Sequence, residues 1–226
     1  PQLLDAHLDR WHRSASLLGM ASPPGKNTVL RLLEEALDQI SLSNGTAALR
    51  LNWSRGNNDC RGINLSNTRF SASFHKFWFE LNEYNPCFSS IATIISRNEK
   101  RNADSRLSQV KTFSYVQSIQ ARYEANLAGC DDALLLSTKG GICCGTTANI
   151  LIRRNNQWLT PHLQSGCLPG IMRQQGLDKQ IFKEATISPE PERGDQWVLI
   201  NSLTCQSITK INKIVLNEYQ DTEALW

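Results

Sequence analysis

Residues 141–151 read GICCGTTANIL, and this stretch says more about the fold than any other. Small and hydroxyl-bearing residues come just before the apolar run that begins at Ile150, so the backbone can approach a ligand closely where a strand starts. The pair Gly140-Gly141 predicts a tight turn in front of it. The stretch therefore predicts a strand whose first residues border a binding site.

The next informative segment downstream runs from Gly166 to Arg173 and reads GCLPGIMR. A Pro-Gly pair that leads into the predicted short helix Gly170–Leu177 presents free backbone N–H groups and the positive end of the helix dipole, which suits a phosphate. An ordinary cap between a loop and a helix is the alternative.

Upstream, Lys111 precedes a predicted helix over 113–128. In an apolar site a lysine offers a neutral amine for imine formation, whereas at the start of a helix it can simply face solvent.

The remaining elements follow from hydrophobic periodicity and turn residues. Two amphipathic helices are predicted over 3–19 and 27–41, the second with Asn27 as its cap. Strands are predicted over 47–53, 76–81, 89–96, 133–137, 149–153, 158–160, 180–187 and 197–201, with a hairpin turn at Asn155-Asn156. The polar residues 97–108 are the candidate linker between two domains. Because strands and helices intermix without strict alternation, the expected class is α/β with α+β character.

Composition and charge argue against several classes of function. The chain has 226 residues, 40% hydrophobic and 20% charged, with a net charge of +3, so neither a nucleic-acid partner nor a membrane surface is expected. It shows no membrane-spanning run and no leading signal segment, which favours a cytoplasmic protein. Seven cysteines without a CxxC pair, and only four histidines, indicate free thiols in a reducing compartment and no metal site.

Four segments in this order and at this spacing resemble class IV aminotransferases: Lys111, Thr147-Ala148-Asn149, Thr160-Pro161 and the 168–173 stretch. That family consists of fold type IV enzymes that use pyridoxal 5'-phosphate. It includes branched-chain aminotransferases, D-amino-acid transaminases and 4-amino-4-deoxychorismate lyases.

The resemblance extends beyond these segments. Leu4-x-x-His7-x-x-Arg10 resembles the family helix that supplies a phosphate-binding arginine. The loop Ser54-Arg55-Gly56 with Arg61-Gly62 is similar to a loop of the lyases. The stretch Ile200-Asn201-Ser202-Leu203 resembles the turn that touches phosphate and the substrate carboxylate.

The resemblance implies a two-domain architecture like that of D-amino-acid aminotransferase. An N-terminal α/β domain would cover residues 1–107, without the family's first strands, and a cofactor-binding domain would cover 108–226. It also implies a homodimer that acts on a small-molecule substrate.

The same resemblance assigns the site residues. Lys111 is expected to hold the cofactor as a Schiff base and to carry protons. Arg10 would bind the phosphate through its guanidinium, since that fork matches phosphate oxygens. The backbone N–H groups of Ile171 and Met172, after Gly170, would complete the phosphate site together with Ser202. Asn149 is also a cofactor-site position, and the substrate carboxylate would face Leu203 and Thr204.

Cys144 departs from the family pattern. Family members carry a glutamate five residues before the asparagine, where it pairs with the pyridine nitrogen of the cofactor, and this chain has Cys144 there. A thiol makes the ring a weaker electron sink, which favours the lyase, because aromatisation of its product supplies much of the driving force. A branched-chain or D-amino-acid aminotransferase is the alternative, and a cofactor-binding protein without catalysis is the third reading.

Overall fold

A computed structural model describes residues 1–42, 45–57, 61 and 72–226. The chain forms two compact units, Pro1–Asn85 and Pro86–Trp226. The predicted domain boundary after residue 107 lies inside the second unit, because strand β3 (Ile91–Arg101) pairs with the main sheet of that unit. A linker at 97–108 is therefore wrong for residues 97–101. Their polar side chains are tolerated because that end of the strand is largely exposed.

The first unit contains helices α1 (Leu4–Leu17) and α2 (Lys26–Leu37) and an antiparallel pair of strands, β1 (Ala47–Ser54) and β2 (Lys76–Glu83). Both predicted helices are confirmed, although α2 ends four residues earlier than expected. Its cap is Gly25 rather than Asn27.

A small apolar cluster holds the first unit together. Leu4 and Leu8 of α1 are buried with Val29 of α2, and β1 packs Leu49 and Leu51 against them. Leu4 and Leu8 lie four positions apart and so project from one face of the helix. The amphipathic pattern of the sequence thus decides which face of α1 is buried.

The second unit is built on a nine-stranded sheet with both parallel and antiparallel pairs. Its strands after β3 are β4 (Asp132–Ser137), β5 (Ile142–Cys144), β6 (Asn149–Arg154), β7 (Gln157–Pro161), β8 (Phe182–Ala185), β9 (Gln196–Ile200), β10 (Cys205–Ile211) and β11 (Ile214–Val215). Its helices are α3 (Val116–Leu127), α4 (Ile171–Asp178) and α5 (Thr222–Leu225). Mixed α/β structure was predicted and is confirmed.

Strand β9 closes part of this sheet on itself. It pairs with β10 on one side and with β6 on the other, so β10, β3, β4, β5, β6 and β9 form a ring. Aliphatic side chains and one indole fill the interior, among them Leu134, Ile150, Trp197 and Ile208, all with no measurable exposure. This apolar interior fixes the register of the strands, because a one-residue slip would turn each of these side chains outward.

Helix α3 packs against the sheet with a different face from the one that its large apolar residues predict. The helix is shorter than the predicted 113–128, and the apolar side chains whose helical spacing predicts it, such as Val116 and Leu127, are 70% and 73% exposed. Ala121 and Ala125 are buried instead, in a cluster with Leu135 of β4. Small side chains allow the helix axis to lie close to the sheet, so the alanines mark its buried face.

Local turn residues gave correct predictions. Asn155 and Asn156 both have positive φ, as the two-residue hairpin turn between β6 and β7 requires. Gly140 and Gly141 also have positive φ and form the turn before β5. The longest described helix has 14 residues, and none that the structure describes is long and apolar enough to cross a bilayer.

Candidate active site

Three predicted site segments lie side by side in the sheet of the second unit. Cys144, the last residue of β5, pairs with Asn149, the first residue of β6. Asn149 in turn pairs with Ile200, the last residue of β9. Strand pairing thus brings the Cys144 position next to the start of the 201–204 turn.

Asn149 connects this row to the loop before α4. Its side-chain amide is buried, and Nδ2 donates a hydrogen bond to the Leu168 carbonyl oxygen at 2.9 Å. A Cβ added to Gly170 would lie 1.9 Å from Asn149 Oδ1, so only glycine fits against the amide. Gly170 precedes the first residue of α4 and has no side chain that could cap the helix. The N–H groups of Ile171 and Met172 therefore remain the natural donors for an anion.

Replacing Gly170 by alanine is expected to separate Asn149 from Leu168 and to displace this loop. The loss of a buried hydrogen bond should lower the free energy of unfolding by about 1–3 kcal/mol. It should also weaken binding of inorganic phosphate. Urea denaturation and phosphate titration measure both effects, with Gly25→Ala as the control because nothing lies within 4 Å of its added Cβ. Unchanged stability and phosphate affinity would show that the Asn149 contact is dispensable.

The turn after β9 is closed by a side chain that the sequence analysis did not single out. Asn201 Oδ1 accepts hydrogen bonds from the N–H groups of Leu203 and Thr204, at 2.7 and 2.9 Å. Its Nδ2 lies 3.5 Å from the Thr147 carbonyl oxygen. The predicted donors for a substrate carboxylate are thus occupied by an amide oxygen. A substrate carboxylate would have to replace that oxygen, with Ser202 at the same turn.

Lys111 lies in the segment between a 3-10 turn (Arg106–Gln109) and α3. Its side chain is exposed, and Nζ lies 5.8 Å from the centre of the Tyr115 ring. Of the two positions considered for Lys111, the structure shows the solvent-facing one, and the attachment of the cofactor to this residue stays a prediction. Gln109 Nε2 donates to the Leu163 carbonyl oxygen at 3.2 Å, which connects this segment to the loop that leads into α4.

Cys144 is buried with the thiols of Cys143 and Cys167. Hydrogen bonding to Cys144 and burial raise the pKa of the Cys143 thiol, so this group stays protonated and unreactive. The Asp132 carboxylate comes within 3.4 Å of the place where a Cβ on Gly145 would lie.

This carboxylate is already engaged. Thr146 Oγ1 and the Ala133 N–H donate to Asp132 Oδ1 at 2.6 and 2.7 Å, and Arg122 Nη2 lies 3.0 Å from Oδ2. Burial raises the pKa of Asp132 and opposes the lowering by Thr146 and Arg122. The network fixes the loop that follows Cys144, and it escaped sequence analysis because its members are far apart in the chain.

Two predicted features belong to the first unit. Arg10 is half-buried on α1, and its own carbonyl oxygen accepts a hydrogen bond from Ser14 Oγ at 2.8 Å. Arg55 of the lyase-like loop donates to the carbonyl oxygens of Gly19 and Leu18, just beyond the end of α1, so it has a structural role there. Gly62 of the same loop lies outside the described residues.

The second unit fits pyridoxal phosphate at one end and departs from the family at the other. Gly170 places backbone N–H groups without a side-chain cap at the start of α4, and Gln109 joins the lysine segment to the loop that leads into this helix. At the position where the family resemblance expects a carboxylate, Cys144 carries a thiol. These features define a fold type IV, pyridoxal-phosphate type of site.

Comparison with known proteins identifies the family. The family model for amino-transferase class IV matches residues 1–212. The chain therefore belongs to the class IV aminotransferase family, whose members are pyridoxal-phosphate enzymes.

Individual relatives carry names of both kinds, aminotransferase-like and lyase. A branched-chain-amino-acid aminotransferase-like protein of Arabidopsis thaliana is 27% identical over 194 residues, which are 83% of this chain and 33% of that protein. The aminodeoxychorismate lyase of Bacillus subtilis is 25% identical over 173 residues, 76% of this chain and 58% of the enzyme. The chain thus spans about a third of the first relative and little more than half of the second.

Among solved structures, a candidate 4-amino-4-deoxychorismate lyase of Legionella pneumophila has a TM-score of 0.83 at 21% identity. The match covers 100% of this chain and 84% of that one. At this identity the likeness establishes the fold.

Proposed function

We propose that the protein binds pyridoxal 5'-phosphate and acts as a lyase that converts 4-amino-4-deoxychorismate to 4-aminobenzoate and pyruvate. The observation that carries the choice of reaction is Cys144, buried beside Asn149 where the family has a glutamate. Asp132 lies beside the loop that follows Cys144. Its carboxylate is already held by the Ala133 N–H, by Thr146 Oγ1 and by Arg122.

The bound cofactor would supply an electron sink for bond breaking at the carbon that bears the substrate amino group. A reaction that forms an aromatic ring needs less from that sink than amino transfer does. A thiol opposite the pyridine nitrogen is therefore more compatible with the lyase reaction.

Each proposed site residue of this chain would have its own role in binding or proton transfer. The N–H groups of Ile171 and Met172, with Ser202, would bind the phosphate. Lys111 would hold the cofactor through Nζ and would carry the proton that moves between substrate and product. Asn149 would position the loop at 166–170 that leads into α4, the phosphate loop, through its hydrogen bond to Leu168. The turn at Leu203 and Thr204 receives the substrate carboxylate.

The direct test offers 4-amino-4-deoxychorismate to the purified, cofactor-loaded protein. Release of 4-aminobenzoate and pyruvate in equal amounts supports the proposal. Transfer of an amino group to 2-oxoglutarate without an aromatic product would favour a branched-chain or D-amino-acid aminotransferase instead. Cofactor binding with neither reaction would favour a non-catalytic protein.

The role of Cys144 is tested by Cys144→Glu, with the uncharged Cys144→Gln as the matched control. A hydrogen bond to a charged group contributes about 1.5–3 kcal/mol, so the glutamate should raise the rate of amino transfer by roughly tenfold or more. Glutamine should not, because it carries no charge to hold the pyridine nitrogen protonated. Equal amino-transfer rates in the two variants would remove the argument from Cys144.

The family resemblance also supports a homodimer, a cytoplasmic location and a place in folate biosynthesis as parts of this proposal. The cofactor-binding domain would correspond to the second unit, Pro86–Trp226. Light scattering of the loaded protein tests the dimer.

A further inference from the structure

Arg101, the last residue of β3, makes hydrogen bonds to three separate segments of the second unit. Nη2 donates to the Ser108 carbonyl oxygen at 2.6 Å, Nε to the Gly166 carbonyl oxygen at 3.2 Å, and Nη1 to Gln117 Oε1 at 3.4 Å. A guanidinium is planar, and its donors point in fixed directions. Arg101 therefore fixes the three acceptors relative to one another.

Each acceptor belongs to a segment of the candidate site. Ser108 is in the 3-10 turn three residues before Lys111, and Gln117 is in the first turn of α3, which follows the lysine. Gly166 starts the loop that continues to Gly170 and the N-terminus of α4. The guanidinium thus lies between the lysine segment and the phosphate loop.

The acceptors are themselves held in place. Gln117 Nε2 donates to the Lys100 carbonyl oxygen at 2.9 Å and to Glu99 Oε2 at 3.1 Å, so its Oε1 is left to face Arg101. At Gly166 an added Cβ would lie 3.1 Å from the Asn102 carbonyl oxygen. The phosphate loop therefore packs directly on the backbone that follows Arg101.

The Lys111 segment has little apolar packing of its own. Val110 is buried, but Lys111 and Phe113 on either side of Thr112 are exposed. Polar contacts must then determine where the amine lies. Two side chains join this segment to the α4 side by hydrogen bonds, Arg101 and Gln109, the latter through the Leu163 carbonyl oxygen.

We propose that Arg101 is a positioning residue that sets the place of the Lys111 amine relative to the phosphate-binding N-terminus of α4. The inference rests on the proposed function, because it assumes that Lys111 and α4 hold the two ends of one cofactor. Arg101 itself touches neither end. Its effect is to let a phosphate bound at α4 deliver an aldehyde to Nζ.

The test compares two aldehydes that differ only in the phosphate, pyridoxal 5'-phosphate and pyridoxal. In both, the Lys111 nitrogen bonds to the aldehyde carbon and the carbonyl oxygen leaves as water. Borohydride reduces the C=N bond that has formed, and peptide mass spectrometry then measures the adduct on Lys111. The wild-type protein should react much faster with the phosphorylated aldehyde, because the bound phosphate raises the effective concentration of the aldehyde at the amine.

Arg101→Met should reduce this preference by roughly tenfold to a hundredfold, the effect of a displacement of about 1 Å. Arg101→Lys keeps the charge but loses the planar fork, so its preference should fall between the two. A purely structural loss would slow both aldehydes equally. Arg97→Met is the matched control, since Arg97 is an exposed residue of the same strand.

Hydrogen exchange of the cofactor-free proteins gives a second readout. Amides in 107–112 and in 165–170 should both exchange faster in the Arg101 variants and remain unchanged in the Arg97 variant. If Arg101→Met does not fold, Arg101→Lys provides the comparison. A wild-type preference preserved in the Arg101 variants would overturn this inference alone. A wild-type protein that attaches neither aldehyde at Lys111 would overturn the proposed function and this inference with it.

Discussion

Replacing Lys111 by alanine is expected to abolish covalent attachment of pyridoxal phosphate and to lower turnover by at least ~10²-fold, because a positioned acid–base group contributes about 10²–10⁴. Phosphate binding at α4 should persist, since its N–H donors belong to the backbone of Ile171 and Met172. The cofactor should therefore still bind, more weakly and reversibly. Borohydride reduction followed by mass spectrometry, together with product assays, measures both effects.

The matched control is Lys139→Ala. Lys139 is also exposed, and its Nζ forms a surface ion pair with Asp104 at 2.6 Å. Added methylamine should restore part of the activity of the Lys111 variant, because a free amine can replace the missing base. Wild-type turnover in Lys111→Ala, or an adduct on another lysine, would contradict the assignment of Lys111.

Replacing Arg154 by methionine is expected to lower the free energy of unfolding by about 3–5 kcal/mol, as for a buried carboxylate that loses its partner. The Asp195 side chain is 1% exposed, and Arg154 donates to both of its oxygens at 2.9 and 2.7 Å. Asp195 also accepts hydrogen bonds from the Glu192 N–H and from Trp197 Nε1. Methionine keeps much of the volume of the arginine stem but leaves a buried charge unpaired.

The control for this variant is Arg31→Met. Arg31 and Glu35 form an exposed ion pair on α2, with side chains 62% and 54% exposed, and such pairs contribute no more than ~1 kcal/mol. Urea denaturation of both variants gives the comparison. Equal losses would show that burial of Asp195 adds nothing to its ion pair.

The loss of unfolding free energy caused by Arg154→Met should depend on pH. Burial alone would raise the pKa of Asp195, but hydrogen bonds from Arg154, Glu192 and Trp197 hold it below its ordinary value of 3.8. The unfolded chain then binds more protons than the native one in this acid range, so stability falls as the pH drops through the folded pKa. The difference between wild type and Arg154→Met should shrink over the same range, because a protonated Asp195 no longer needs a cation.

Local residue chemistry in the sequence predicted the family and the hairpin turn, and both are confirmed. The order of Lys111, Asn149 and Gly170 indicated the family, and the paired asparagines at 155 and 156 indicated the hairpin, since positive φ is a property of a few residue types. Very short strands, and strands that pair with residues far away in the chain, were not predicted from the sequence. Strand β5 has only three residues, and β10 was not predicted at all. On α3 the apolar stripe indicated the wrong face, because close packing on the sheet selected Ala121 and Ala125.

Residue chemistry in the sequence determined the family, the position of the lysine, and the replacement of the expected glutamate by Cys144. The tertiary structure alone decided which of these residues meet. Asn149 lies between Cys144 and Ile200 because β9 closes the ring of strands, and the Lys111 segment reaches the α4 loop through Arg101. Such pairings join residues far apart in the chain, and their free energy comes from shared burial and hydrogen bonding rather than from local preference.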